Sequence, residues 1–600
     1  MSKKLRFPLE KNSILKVEEY FYKFLNSISN TIPISEQFEE LDEAKDFFSN
    51  EDVISVKDEG CYWKLGFSDS IITPKNILSQ KYYVGGNISI PPRRIEYIID
   101  NIKVRTIALS TNNSNIIVLA VVDCIGLTNF YVNKIRNDLQ KFCERKSVKV
   151  INVFSTHTHS SVDTMGIWSV GAKGILSSYI KSRKGLIPEP TVDQHFMDLV
   201  VEKTKETIIE AVNNMHLGKL FFLEVGSNSS KKIDEEIKNR IGFNSAEDYW
   251  DEKWQKLWDE EFSRTNITET GIYEYILSKR SPYEFSPRIT RIRFKPLNNN
   301  VPETVIINLS AHPYSNGLKL RGEGSGDMLS GDFVYYMEEI FNQNKYNMIF
   351  LNGAINGVYP KRKAIINKEK KQKYKLTEQT KIIGNEFASI LLAVCMTSQE
   401  IYSDKTTNPQ GKSLAYQSVI NHKKALLLKE IEIKPVLKSY NKGIFLKCTN
   451  PLEQIIGKLN FAQFNLYKTR EKDIYVKSEI GYIQLGEYVN IALVPGEITN
   501  TLCSDNVIYE RKTRTVGRDI ASIDKIFGDK TLVFGLANDS IGYIIHPDDY
   551  YFLYVGNGLF SRKLFGENFT HYQEIFSLGE NVACELLSEF EEIKKIQSKE

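Results

Sequence analysis

Ile151-Asn152-Val153-Phe154-Ser155-Thr156-His157-Thr158-His159-Ser160-Ser161 is the stretch on which the reading of this chain turns. The mostly apolar run after Lys149 predicts a buried strand, and its end at Thr156 puts two imidazoles where a parallel strand delivers its loop. In α/β proteins that is where sites are built. A backbone that stayed extended would turn His157 and His159 to one side and Thr158 to the other. One imidazole could then hold a metal while the other handles a proton or an oxyanion. A structural pair on a loop is the competing reading of an isolated H-x-H.

Just upstream, Asn115 to Val122 is a nearly unbroken apolar strand that ends at Asp123. Phe130, Val132, Ile135, Leu139 and Phe142 mark one face of a helix leading back to the histidine strand, which makes a βαβ unit. Asp123 is placed to orient an imidazole, to bind a second cation or simply to cap its strand. Downstream, the Gly- and Pro-bearing segment 166–192 has the character of a lid, and Trp250, Trp254 and Trp258 share one helical stripe, suited to packing or to an acyl-chain groove. Val305 to Ser310 repeats the opening pattern, a buried strand delivering Ala311-His312-Pro313. Asp332 stands at a helix start, where it caps. Asn347 to Leu351 feeds the turn Asn352-Gly353-Ala354-Ile355-Asn356-Gly357-Val358-Tyr359-Pro360. The Lys-rich run from Lys361 to Lys375 reads as a solvated face. Two later strands end similarly, in Val494-Pro495-Gly496-Glu497 and in Ala537-Asn538-Asp539-Ser540-Ile541-Gly542-Tyr543.

The 600-residue length exceeds one ordinary core, and apolar runs alternating with amphipathic helices predict an α/β fold with a large multilayer mixed sheet. Its expected parts are a helical extension over 1–60, an α/β catalytic region over 61–400 and a C-terminal part, 401–600, that completes the site. Lys and Arg number 78 against 75 Asp and Glu, a balance that argues against a nucleic-acid footprint. With no 18-residue apolar run and no signal-peptide core after Met1, the expected location is the cytoplasm. Seven scattered cysteines without a C-x-x-C pair read as reduced thiols.

His157, His312, Glu497 and Tyr543 thus end four separate strands, a donor set suited to Zn²⁺ with one open position. These residues also carry a resemblance. Gly66-Phe67 with Ile72-Thr73-Pro74, Thr156-His157-Thr158-His159-Ser160, Ala311-His312-Pro313, Val494-Pro495-Gly496-Glu497 and Asn538-Asp539 with Gly542-Tyr543 occur in the order found in the neutral ceramidases. Those enzymes are zinc amidases that hydrolyse the N-acyl bond of ceramide. The resemblance implies one zinc per chain held by His157, His312, Glu497 and Tyr543, with His159, Tyr543 and Arg240 in catalytic roles and Asn239-Arg240 as the family's Asn-Arg pair.

The chain departs from the family at Ser160-Ser161-Val162, where ceramidases have Ser-Gly-Pro. Gly357 and Tyr359 stand where they have a functional Asp and Ser, and the chain runs only to Glu600, which implies a divergent member lacking the C-terminal immunoglobulin-like domain. The expected function is therefore zinc-dependent hydrolysis of an N-acyl bond, in ceramide or a related lipid reached by transient membrane contact. The alternatives are a zinc amidase for a soluble N-acyl amine, N-acyl amino acid or modified peptide, and a non-catalytic metal- or lipid-binding protein of the same fold.

Overall fold

A computed structural model describes residues 11–33, 62–86, 91–225, 288–315, 327–360, 376–392, 430–504 except 465, 520–555 and 571–597, with short strand segments between them. Arg240, the tryptophan stripe, nearly all of the Lys-rich run and the segment near 397–412 lie outside the described residues.

Helix α1 (Lys11–Thr31) precedes a nine-stranded sheet. Its strands are β1 (Trp63–Ile71), β2 (Lys103–Thr111), β3 (Ile116–Val122), β4 (Val148–Ser155), β5 (His216–Val225), β6 (Ile289–Pro296), β7 (Glu303–Leu309), β8 (Tyr346–Asn352) and β9 (Ile431–Ile433). The order is β8-β7-β6-β5-β1-β2-β3-β4, with β9 also paired to β5. Most neighbours run antiparallel, but β3–β4 and β7–β8, at the two edges, are parallel. The helices of this region are α2 (Asn129–Lys146), α3 (Ala172–Arg183), α4 (Gln194–Asn213), α5 (Phe333–Gln343) and α6 (Leu376–Leu392). Helices α2 and α5 make the crossovers at the two edges, so the expected βαβ unit is present and has a counterpart.

The period-2 alternation of the strands sorts the core. Val104, Ala108, Val118, Ala120 and Val122 face α2 and α4, whereas Ile107, Leu109, Ile117, Leu119 and Val121 face a second sheet. That sheet contains β10 (Leu437–Lys447), β11 (Leu466–Lys468), β12 (Ile474–Leu485), β13 (Val489–Leu493) and β14 (Leu532–Phe534). Helix α7 (Pro451–Lys458) follows β10, and α8 (Val582–Gln597) covers the sheet's far side with Leu586, Leu587, Phe590 and Ile593. Helices α5 and α6 pack Phe333, Met337, Phe341 and Phe387 on β7 and β8. The result is a helix–sheet–sheet–helix α/β fold, the expected multilayer class. The segment 166–192 differs from the open lid-like loop read from its Gly and Pro content, because residues 172–183 coil into α3.

The first sheet curls until its edges meet. The Asn352 side chain at the end of β8 donates to the carbonyls of Ser155 and Thr156 at the end of β4, at 3.1 and 2.8 Å. Asn538 clamps the same strand by accepting from Val153 N at 2.9 Å and donating its own N–H to Val153 O at 2.7 Å. Asp123 has no part in orienting an imidazole. Its carboxylate takes both oxygens to Arg105 Nη1 at 2.9 Å, and Arg105 reaches Glu338 of α5 at 2.7 and 2.9 Å, all three side chains being buried. The charge of a buried guanidinium dictates that pairing, since an uncompensated ion there is costly. Substituting Arg105→Leu strands two buried carboxylates and should lower the unfolding free energy by about 3–5 kcal/mol, measured by urea denaturation.

Candidate metal centre

Three imidazoles from two strand ends come together. His157 and His159 follow β4 and His312 follows β7, and one ring nitrogen of each lies within 4.8 Å of the others. Ring centroids are 4.9 Å apart for His157–His159 and 4.8 Å for His157–His312. The backbone does not stay extended as the sequence reading expected. His157 has φ of 63°, a left-handed conformation that non-glycine residues adopt only where the surroundings hold them. Those surroundings are explicit. Thr158 Oγ1 donates to Ser330 O at 2.9 Å, Ser330 N to Ser160 O at 2.8 Å, and His159 N to Pro313 O at 3.1 Å.

Each imidazole meets a backbone carbonyl through Nδ1: His157 with Ile125 O at 2.6 Å, His159 with Gly86 O at 3.1 Å and His312 with Val358 O at 2.8 Å. A carbonyl only accepts, so each Nδ1 carries a hydrogen and Nε2 is the ring nitrogen left to bind a proton or a metal. Burial, followed by repulsion from the other imidazoles, pushes His159 well below the ordinary histidine range, and burial does the same more mildly to His312. Both rings are thus held neutral near pH 7. None of the three Nε2 atoms has a hydrogen-bond partner among the described residues.

The fourth group is Glu497. Its carboxylate oxygens lie 3.3 Å from His157 Nε2 and 2.8 Å from His312 Nε2. Burial pushes this carboxyl up, but the adjoining His157 and His312 outweigh burial and hold it well below the usual carboxylate range. With Nδ1 committed to a carbonyl in each ring, the Nε2 atoms of His157 and His312 face an anionic carboxylate, an arrangement that is favourable with a proton or a cation between them. Nδ1–H bonds from ligand histidines to backbone carbonyls are the usual second layer of a metal site. The group fits a divalent cation.

Tyr543 is brought alongside because Glu497–Ile498 pairs in parallel with Tyr543–Ile544, Glu497 opposite Tyr543. Burial, then the Glu497 charge, raises the Tyr543 phenol well above its ordinary value, so it is protonated without a cation beside it. His157, His312, Glu497 and Tyr543, four strand-end residues distant in sequence, thus occupy one region. His159 lies 4.9 Å from the His157 ring but 5.6 Å from that of His312, centroid to centroid.

Sequence reading named Tyr359 only at the position of the family's serine, and it missed four neighbours, Tyr314, Tyr572, Asn356 and Gly86. Tyr359 stacks on His312 with centroids 4.5 Å apart, and its hydroxyl lies 2.6 Å from that of Tyr572. Tyr314 lies 4.3 Å from the His159 ring. Buried Asn356 donates its backbone N–H to Ile498 O at 3.3 Å, and neither atom of its amide has a partner among the described residues. Tyr314 could have been found two residues after His312, on the same alternation; nothing local marked Tyr572. Gly86 at φ 93° is the fourth, since a Cβ there would collide with His159 Nδ1. Gly86→Ala should displace His159 and lower any proton transfer through it by roughly 10²–10⁴-fold, while metal retention, measured by competition with a chelating indicator, stays close to wild type because His157 and His312 keep their own carbonyl anchors.

Beneath the histidine hairpin, Asp100 accepts from Ser330 Oγ and Gly331 N, both at 2.6 Å. Burial raises its carboxyl from 3.8 to about 7. The folded chain therefore keeps a proton that the unfolded chain releases near pH 4, and stability falls as pH rises from about 4 to 7. Asp100→Asn, which mimics the neutral carboxyl, should flatten that part of the curve of thermal midpoint against pH.

Neither a protein-family model nor a curated protein sequence matches the chain. Two solved structures are similar in fold. The crystal structure of neutral ceramidase from Pseudomonas aeruginosa superposes with a TM-score of 0.51 at 11% identity, over 90% of this chain and 75% of that one. A ceramidase complexed with C2 gives 0.50 at 11% identity, over 90% and 76%. At that identity the likeness establishes a shared ceramidase-like fold.

Proposed function

We propose that the protein is a zinc-dependent amide hydrolase that cleaves an N-acyl bond. The observation that carries this reading is the convergence of three Nε2 lone pairs and the Glu497 carboxylate on a ceramidase-like fold. His157, His312 and Glu497 would hold the ion, with Tyr543 as the fourth ligand. When bound, such a cation supplies Lewis-acid polarisation of a carbonyl oxygen and makes hydroxide available at neutral pH.

The remaining chemistry falls to side chains. His159, neutral and anchored by Gly86 O, has a free Nε2 with which to take a proton and return it to the leaving amine, a role worth roughly 10²–10⁴-fold. The Tyr543 phenol, if displaced from the ion, can donate to the oxyanion of the tetrahedral species. Arg240 is proposed to orient a polar group of the substrate.

Two substrate classes remain in play, ceramide-like N-acyl lipids and soluble N-acyl amines, amino acids or modified peptides. The second is favoured by Tyr314, Tyr359 and Tyr572 beside the imidazoles. Their rings and hydroxyls make an aromatic, polar wall, with Tyr359 held against His312, where an aliphatic tail would prefer a purely apolar one.

The test is elemental analysis of the purified protein, followed by a screen of short- and long-chain N-acyl compounds. About one zinc per chain and release of a free amine are expected, and His157→Ala or Glu497→Gln should remove both ion and turnover. Tight zinc with no turnover of any amide would overturn the hydrolase reading in favour of a binding protein. Full activity in His157→Ala would overturn the ligand assignment.

A further inference from the structure

Helix α3 is inside out. Its buried side chains are Ser178 and Ser182, while Ile175, Leu176 and Ile180 face outward. The turn after it continues the pattern, since Leu186 and Ile187 are 56% and 55% exposed and Leu176 is 59% exposed. An amphipathic helix packed only against its own chain would do the reverse. Scattered exposed apolar residues need no explanation, but this segment concentrates them, and its charge is one-sided. Lys173, Lys181, Arg183 and Lys184 lie among them, and residues 166–188 contain no Asp or Glu, although Glu189 just beyond pairs with Lys181 at 3.4 Å on the exposed surface. Lys173 and Leu176 stand at i and i+3, and Leu176 and Ile180 at i and i+4, so cation and apolar groups share one stripe.

The adjoining α1 has a similar outer face, with Tyr20 72% and Phe24 63% exposed. Arg183 Nη1 donates to Thr31 O at 3.1 Å, tying the end of α3 to the end of α1. Tyr179 of α3 and Ile32 join an apolar cluster with Ile125 and Met165. Ile125 is the residue whose carbonyl holds His157. The surface therefore belongs to the layer directly behind the candidate metal centre.

We propose that α3 and the turn after it form an anchor that lies in the interface of an anionic lipid bilayer. Exposed Leu and Ile provide the apolar insertion, and the four cations provide attraction to acidic headgroups, the combination that interfacial helices use. No helix among the described residues is long and apolar enough to cross a membrane, so contact from one side is the mode this surface fits. The anchor is independent of whether the metal centre hydrolyses anything.

The experiment is vesicle co-sedimentation of the full chain, with phosphatidylcholine alone or mixed with phosphatidylserine. Binding to the mixed vesicles is expected, weakening as salt is raised. Leu176→Ser/Leu186→Ser/Ile187→Ser and Lys173→Glu/Lys181→Glu/Lys184→Glu should each weaken it by roughly tenfold or more, with circular dichroism and zinc content unchanged. Leu176→Trp should blue-shift its fluorescence on the mixed vesicles. Wild-type protein left in the supernatant, triple variants that sediment like wild type, or a Leu176→Trp emission that does not move would overturn the proposal. So would binding to soluble poly-glutamate without binding to vesicles, which would assign the surface to an acidic polypeptide.

Discussion

A carbonyl beside an imidazole nitrogen demands a hydrogen on it, and in this protein three imidazoles give theirs to the backbone. The carbonyls of Ile125, Gly86 and Val358 take the Nδ1 hydrogens of His157, His159 and His312, which fixes both the tautomer and the aim of each ring. Everything else around the site serves those three carbonyls. Gly86 must lack a side chain for its carbonyl to sit under His159. Val358 sits there because the turn after β8 passes under His312, whose own N–H also goes to Val358 O at 3.0 Å. With the Nδ1 hydrogens committed, the Nε2 atoms of His157 and His312 face the Glu497 carboxylate, a grouping that could hold a cation.

The strands that deliver these groups were legible in the sequence because burial on both faces leaves unbroken apolar runs, as in β3, β4 and β8. The points where those runs stop, at His157, His312 and Glu497, were legible for the same reason. What could not be read was geometry that depends on distant partners. The left-handed turn at His157 is imposed by bonds to Ser330 and Pro313, neither of which is close in sequence. Asp123 could be read as a group for the site or as a strand-end cap, yet Arg105, shared with Glu338 of α5, claims it from inside the core, and only the packing of distant elements brings those three together. Tyr572 carries no local pattern at all, and its place is set by a hydroxyl contact to Tyr359. Helix α3 was hidden by its glycines and by an apolar face turned outward, which reads from sequence as loop character.

The two sheets divide the labour. Rigid side-chain amides, Asn352 and Asn538, lock the end of β4 from opposite sides, and a polar network runs from Asn538 through Asn152 and Glu479 to Arg136 of α2 at 2.7–3.0 Å. Here they pin the strand that carries the histidines between both layers, while the Asn152 amide nitrogen and the Asn352 amide oxygen have no partner among the described residues. The tyrosines around the imidazoles contribute differently. They are bulky, partly polar walls, and burial raises the hydroxyls of Tyr359 and Tyr572, which so stay protonated, able to donate but not to compete as anions with Glu497.

Bringing Glu497 and Tyr543 beside His157 and His312 has a temporal consequence. The four segments are separated by most of the polypeptide, so none of the loops between them can be left open when the centre closes. Contacts of such long span form late, after the local βαβ units at the two sheet edges have condensed. A nascent chain emerging from the ribosome would hold imidazoles without their facing carboxylate until Glu497 had been synthesised. Occupancy by a cation would then report that the whole molecule, from the first sheet to the C-terminal strands, has reached its native arrangement.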